Sequence, residues 1–246
     1  MQEHKVYLNP PIIEVICGIH VKSDVKMDNK ILSTFHEKIR EKFPNHQIES
    51  RDQKEGEVGK EIIGNENVST HIFANDKTNA RVVIDNDNLS IHWLGAHTSG
   101  EKLLQDITDV YAAYITVRPI SNITELLLGY LNKVNVNSKE ISLDEYFTVV
   151  PKAIGRVINF IIGYEIAKEE EQHISRLTLT PTLPEKADDS AFLLEIRGYL
   201  PNKITLSTEK KDVAEWFAHT HKTIGEIFES AITDKTRALF QNGNKS

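Results

Sequence analysis

The amino-acid sequence predicts an α+β protein in which antiparallel sheets carry helices packed on one face. Three observations predict this class: short apolar runs typical of strands, capping residues in front of amphipathic segments, and a long segment of helical period near the end of the chain. The order strand, helix, three strands, helix can be traced twice. We therefore predict two similar halves, residues 1–120 and 121–240, with a polar tail at 241–246. Internal duplication and chance likeness are both open explanations.

The first predicted strand, residues 12–21, follows two prolines. Pro10 and Pro11 favour an extended backbone and lack N–H donors, so they predict a strand at a sheet edge. From Ile13 onward every second residue is apolar, which predicts a side that faces the core. Glu14 projects from the opposite, mixed side, where a carboxylate needs a partner.

Two roles are open for Glu14. It can pair with a cation such as Lys133 or Arg118 and so fix the strand register, or it can act as a ligand or an acid–base group. His20 lies on the same side of the strand but about 20 Å away, so it cannot serve as the partner. The structural role is the favoured interpretation.

Local signals predict the remaining elements of both halves. In the first half these are a helix over 30–43 capped by Asp28 or Asn29, a loop at 48–70, strands at 68–75, 79–85 and 88–94, a hairpin turn at 85–88, and a helix at 101–117 opened by a capping box of Thr98 and Glu101. In the second half they are a strand over 123–136, a short helix opened by Ser142 and Glu145, strands at 157–166, 173–181 and 190–200, and one long helix over 210–240. Ile-Thr-Asp occurs in both closing helices, at 107–109 and 232–234, which is weak support for duplication.

Composition and missing motifs exclude several classes of protein. The chain carries 29 Lys and Arg against 36 Asp and Glu, a net charge of −7, which does not favour broad binding to nucleic acid. The single cysteine, Cys17, cannot form an internal disulfide. The sequence has no phosphate-binding G-x-x-x-x-G-K-[ST], no G-x-S-x-G and no H-E-x-x-H, and no apolar leader or membrane-spanning run. We expect a cytoplasmic protein without catalytic residues, metal or cofactor, although His92 and His97 flank a strand end where a ligand site is an alternative.

Three stretches carry a resemblance: N-P-P-I-I-E-V at 9–15, G-Y-L-N-K-V at 129–134 followed by L-D-E-Y-F at 143–147, and A-H-T-H-K-T-I-G-E-I-F-E-S-A-I-T-D at 218–234. They resemble a sporadically distributed family of uncharacterised prokaryotic proteins that opens with N-P-P-I-x-E, carries R-Y-x-N-R and closes with H-x-x-I-x-x-x-F-x-x-x-I-T-D. Gly129 and Lys133 stand where that family has arginines. The resemblance implies no particular activity. The patchy distribution implies an association with defence or toxin-linked operons.

One group of polar residues is a candidate ligand site. Tyr130 and Asn132 share one face of the predicted strand over 123–136, and Arg156 and Arg197 lie on neighbouring predicted strands. Together with Glu14, these residues can bind an anion or a nucleotide if they converge. A polar network that joins the two halves is the favoured interpretation.

The leading hypothesis is a non-enzymatic binding or regulatory subunit that acts with a partner protein. Antiparallel sheets offer edges that another chain can extend. The closing helix adds His221, Glu229 and Asp234 as candidate interface residues, and self-association is open. The alternative is a sensor or enzyme that binds a nucleotide or nucleic acid between the two halves.

Overall fold

The structure is a computed structural model that describes residues 7–51, 68–95, 99–138, 141–150, 160–167, 173–186, 188–201 and 204–241. Its elements are β1 (Ile12–Lys22), α1 (Asn29–Ile39), β2 (Asn45–Arg51), β3 (Val68–Asn75), β4 (Ala80–Asp85), β5 (Asn88–Leu94), α2 (Gly100–Val117), β6 (Asn122–Val136), a 3-10 helix (Leu143–Glu145), β7 (Ile162–Ala167), β8 (Ile174–Thr182), β9 (Ser190–Tyr199), α3 (Lys210–Ala231) and α4 (Asp234–Gln241).

The described strands form one nine-stranded sheet in the order β2-β3-β4-β5-β1-β6-β9-β8-β7. Every neighbouring pair is antiparallel, which confirms the predicted α+β class. The sheet is continuous across the predicted halves, because β1 and β6 pair at its centre with Cys17 opposite Leu128. The division at residue 120 and the internal duplication stay predictions.

β1 lies inside the sheet between β5 and β6, so the prediction of an edge strand is wrong. The two prolines precede Ile12, the first residue of the β1–β6 ladder, and their missing N–H groups therefore remove no ladder hydrogen bond. The carbonyl of Pro11 still accepts from the N–H of Lys133 at 2.8 Å. The prolines mark where this strand begins and do not determine its place in the sheet.

The two faces of the sheet differ in burial. On the side that we call the helix face, α1, α2 and α3 pack on the strands, and Val15, Cys17 and Ile19 of β1 are fully buried. The helices approach closely, since a Cβ at Gly198 of β9 would collide with the methyl group of Thr220 of α3. On the opposite side, which we call the open face, alternate side chains of the central strands stay half-exposed.

The closing helix is interrupted, so the prediction of one helix over 210–240 is wrong. α3 ends at Ala231 and α4 begins at Asp234, because Ile232 is extended and forms a β-bridge with Phe147. This bridge depends on a residue far away in the sequence. The local helical period therefore could not reveal the break.

The repeated tripeptide gives no support to duplication in the structure. Ile-Thr-Asp at 232–234 spans the break between α3 and α4, where the N–H of Thr233 donates to the carbonyl of Tyr146 at 3.0 Å. The same tripeptide at 107–109 lies inside α2. The two copies have different backbone roles.

Caps and boundaries differ from the prediction in a few places. Asp28 caps α1 as expected and accepts from the N–H of Ile31 at 2.7 Å. α2 is capped by Ser99, which accepts from the N–H of Lys102 at 3.1 Å, and Thr98 of the predicted capping box lies outside the described residues. Ser142 makes no side-chain cap. The predicted loop at 48–70 overlaps both β2 and β3.

Candidate functional site

Cross-strand register aligns the side chains of the open face in rows that run across the sheet. One row, which we call the apolar row, consists of Ile72, Val83, Leu127, Tyr199 and Ile174, with Ser90 and Gly18 between Val83 and Leu127. Its apolar side chains are half-buried. The row crosses seven strands, about 29 Å at roughly 4.8 Å per strand. Half-exposed apolar side chains of the open face therefore lie on both sides of the central strands β5 and β1, where Ser90 and Gly18 are buried.

A hydrogen-bonded chain of three side chains borders the apolar row. His92 Nδ1 lies 3.0 Å from Glu14 Oε1, and His92 Nε2 lies 3.1 Å from Ser90 Oγ. We call this the serine–histidine–glutamate network. Its members come from β1 and β5, whose pairing places Ile16 opposite His92 and Gly18 opposite Ser90. Glu14 thus finds its partner on the neighbouring strand.

The predicted cations pair elsewhere. Lys133 lies 3.5 Å from Glu185, and the guanidinium of Arg118 is buried and pairs with Asp87 at 2.5 Å. The prediction that Glu14 pairs with one of them is therefore wrong. The reason is geometric: β5 is the direct neighbour of β1 on one side, and its histidine reaches the carboxylate along the open face.

The arginines of β8 and β9 on the open face are already paired with carboxylates. Arg197 donates to Glu195 on its own strand, with Nε at 2.7 Å, and Arg176 donates to Glu165 of β7, with Nε at 3.1 Å. Burial opposes the charge of Arg197, but the hydrogen bonds to Glu195 and Tyr199 raise the pKa of its guanidinium above the ordinary value. Both arginines thus carry a local counter-charge.

Arg81 of β4 differs from these arginines. It stands opposite His92 in the register of β4 and β5, and its side chain is exposed. It forms no ion pair with any carboxylate in the part of the chain that the structure describes. Among the described side chains of the open face, the guanidinium of Arg81 is therefore available for an anion, beside the serine–histidine–glutamate network.

Gly129 gives room to Arg197. A Cβ at position 129 would lie 3.2 Å from Arg197 Cγ, so the stem of the arginine crosses the open face over this glycine. Gly129 and Arg197 are register partners on β6 and β9.

The predicted ligand residues lie on different faces of the sheet. Tyr130 and Asn132 are buried on the helix face, where the Tyr130 hydroxyl lies 2.7 Å from His221 Nδ1 and the Asn132 amide donates to the Leu194 carbonyl at 3.0 Å. Burial raises the pKa of the Tyr130 phenol. Glu14 and Arg197 project from the open face, and Arg156 lies outside the described residues. The structure does not bring Tyr130 or Asn132 together with Arg197.

The predicted interface residues of the closing helices have different exposures. His221 is half-buried and hydrogen-bonded to Tyr130. Glu229 accepts from the Tyr7 hydroxyl at 2.6 Å and from Arg237 Nε at 2.9 Å. The Asp234 side chain is 96% exposed and accepts a hydrogen bond from Arg237 Nη1 at 2.8 Å. An interface role for all three stays a prediction.

Sequence reasoning missed Ser90 and Arg81 as site residues, and it gave a ligand site at His92 only as an alternative. The available signal was the alternation of side chains along a strand: Ser90 and His92 are two residues apart on a predicted strand and therefore share a face. The pairing of that strand with β1 could not be read from the sequence. Without it, Glu14 had no visible partner.

No protein-family model matches the chain, and no curated protein matches it. The resemblance to a sporadically distributed prokaryotic family therefore stays a prediction. Within the described residues, no group of three or more His, Cys, Asp or Glu side chains is placed to hold a metal ion. None of the described helices combines the length and the apolar character that a bilayer crossing requires.

Proposed function

We propose that this chain is a binding protein that holds a partner protein on the open face of its sheet. The single observation that carries the proposal is the apolar row, which crosses seven strands and contributes five half-exposed apolar side chains, on either side of the buried Ser90 and Gly18, while the helices bury the other face. Exposed apolar patches on soluble proteins commonly mark interaction sites. The row's length of about 29 Å is comparable to the width of a standard protein–protein interface, which buries roughly 800 Å² per partner.

The charges around the row support a protein partner over a polyanion. A phosphate-binding surface needs cations that are free to neutralise phosphates. On this face, Arg197 and Arg176 already pair with Glu195 and Glu165, and Lys133 pairs with Glu185. A polyanion would have to displace these carboxylates. A partner protein can keep them as a polar rim around an apolar centre.

The partner is expected to present an apolar strip about as long as the row, with polar groups on either side. The resemblance noted in the sequence makes the product of a neighbouring gene the first candidate to test. Sheet edges offer a second mode, in which another chain adds a strand. Edge pairing would not depend on the row, and this difference allows the two modes to be separated.

The test compares two substitutions of the same chemistry at different places. Leu127→Glu puts a charge at the centre of the apolar row, and Leu183→Glu puts the same charge at a leucine that is 85% exposed outside it. Affinity purification from the native host, followed by reconstitution with the purified partner, measures binding to each variant. We expect Leu127→Glu to weaken binding at least 10-fold, about 1.4 kcal/mol, and Leu183→Glu to leave it unchanged.

Three results would contradict the proposal. One is equal binding by both variants, which would favour edge pairing. Another is self-association through the row, seen as a dimer by light scattering that Leu127→Glu dissociates. The third is binding of nucleotides or oligonucleotides in place of a protein, which would favour the alternative function. Thermal melting of each variant confirms that loss of binding does not come from unfolding.

A further inference from the structure

The serine–histidine–glutamate network has the connectivity of an activated hydroxyl. A carboxylate accepts at one imidazole nitrogen and a serine hydroxyl lies at the other, at 3.0 Å and 3.1 Å. We propose that Ser90 is a nucleophile for acyl transfer, with His92 as its general base and Glu14 as the positioning residue. This activity goes beyond the proposed binding function and rests on a different observation.

The hydrogen bonds define where the protons lie. An ionised carboxylate can only accept, so the bond to Glu14 places the proton of a neutral imidazole on His92 Nδ1. The Nε2 lone pair then faces the Ser90 hydroxyl and accepts its proton. This is the tautomer that a general base needs before the nucleophile attacks.

The reaction that follows is transfer of an acyl group from an ester. Ser90 Oγ attacks the carbonyl carbon, and its proton moves to His92 Nε2. The bond between the carbonyl carbon and the leaving alkoxide then breaks, and the proton passes from Nε2 to the leaving oxygen. Water repeats the same steps on the acylated serine and releases the carboxylic acid, so the serine is regenerated.

Two neighbours of Ser90 suit this chemistry. Ser90 is 9% exposed, and Gly18, which stands opposite it on β1, has no side chain to lie over the hydroxyl. Arg81 stands opposite His92, exposed and without an ion pair among the described residues. Its guanidinium can reach the negative charge that develops on the carbonyl oxygen.

The surroundings also define the substrate class. Ser90 belongs to the same row as Val83, Leu127 and Tyr199, so an apolar acyl chain can lie along the apolar row. We therefore assign carboxylic esters of apolar acids as the substrate class.

The experiment measures the reactivity of Ser90 directly in the full chain. A fluorophosphonate probe labels activated serines, and peptide mass spectrometry locates the adduct. Hydrolysis of p-nitrophenyl butyrate gives the rate. We expect a labelled Ser90 in the native sequence, no adduct at this position in Ser90→Ala, and a loss of roughly 100-fold or more in rate in His92→Gln, the usual contribution of a general base.

Further variants separate a catalytic role from a structural one. Glu14→Gln cannot orient the imidazole as an ion does, so we expect a slower rate and a shifted pH–rate profile, with Glu14→Asp partly restoring both. Ser69→Ala removes an exposed serine of β3 that is outside the network, and it should leave labelling unchanged. Labelling of Ser90 no faster than other serines, or equal rates for His92→Gln and the native sequence, would overturn the proposal.

Discussion

Replacing Arg118 should destabilise the protein far more than replacing the carboxylate that it pairs with. The guanidinium is only 3% exposed and makes four side-chain hydrogen bonds: to the carbonyl of Val25 at 2.8 Å, the carbonyl of Asn86 at 2.9 Å, the hydroxyl of Tyr114 at 2.7 Å, and Asp87 at 2.5 Å. It thereby joins the end of α2 to the turn between β4 and β5. These strands carry Arg81, Ser90 and His92.

The size of the loss in free energy of unfolding depends on which partners of Arg118 can form hydrogen bonds with water instead. Arg118→Met keeps the apolar stem and removes all four bonds. Val25, Asn86 and Asp87 are exposed and can be hydrated, whereas the Tyr114 hydroxyl is buried and loses its partner. Bonds to a charged group contribute about 1.5–3 kcal/mol each, but hydration offsets most of them, so we expect a loss of about 3 kcal/mol, the low end for breaking a buried pair.

Asp87→Asn is the matched variant. It leaves the other three bonds of Arg118 in place, and the Asp87 side chain is 55% exposed, so solvent screens the lost charge. A loss of about 1 kcal/mol is expected, as for exposed ion pairs. Urea denaturation followed by circular dichroism measures both changes. A loss below about 1 kcal/mol for Arg118→Met, or a larger loss for Asp87→Asn than for Arg118→Met, would refute the reasoning.

Two further predictions concern packing and pH. Gly198→Ala should lower the free energy of unfolding by about 1–3 kcal/mol through overpacking, because the new Cβ meets the Thr220 methyl group. Adding Thr220→Ala to this variant should restore the stability. Gly163→Ala is the control and should be tolerated, because the nearest atom to its new Cβ is 3.9 Å away. Burial lowers the pKa of His46 and His71 below 6.5, and the nearby rings of His71 and His36 lower the pKa of His46 further. The folded state therefore favours the neutral form of both rings. Their contribution to the free energy of unfolding is complete above pH 6.5 and is lost as the pH falls through the lowered pKa values. His46→Gln should reduce this loss in thermal melts between pH 7 and pH 5, whereas His20→Gln, on exposed β1 surface, should leave it unchanged.

The sequence predicts those features of the fold that depend on neighbouring residues. The cap at Asp28, the turn at 85–88 and most strands of the sheet follow from local chemistry and alternation, and the structure confirms them. Features that depend on distant partners were not predictable. The extended Ile232 needs Phe147, and Glu14 needs His92, 78 positions later in the chain.

The same limit explains the candidate site. Alternation correctly separated Glu14 from the buried side of β1, and it placed Tyr130 and Asn132 on one face of β6. It could not show that this face is the one under α3, where Tyr130 meets His221, whereas Glu14 and Arg197 lie on the other. Alternation along a strand shows which residues share a face, but whether that face is the helix face or the open face depends on where the helices pack.

The position of β1 links the two proposals to one physical cause. As the central strand, β1 places Glu14 beside β5 on one side and Gly18 beside Leu127 of β6 on the other. A carboxylate at a sheet edge would be hydrated and would orient nothing, whereas at the centre it holds His92 against Ser90. Because α1, α2 and α3 pack on the helix face, this polar network lies beside the half-buried side chains of the apolar row and not under those helices. Binding along the row and reaction at Ser90 can therefore share one surface while depending on different side chains.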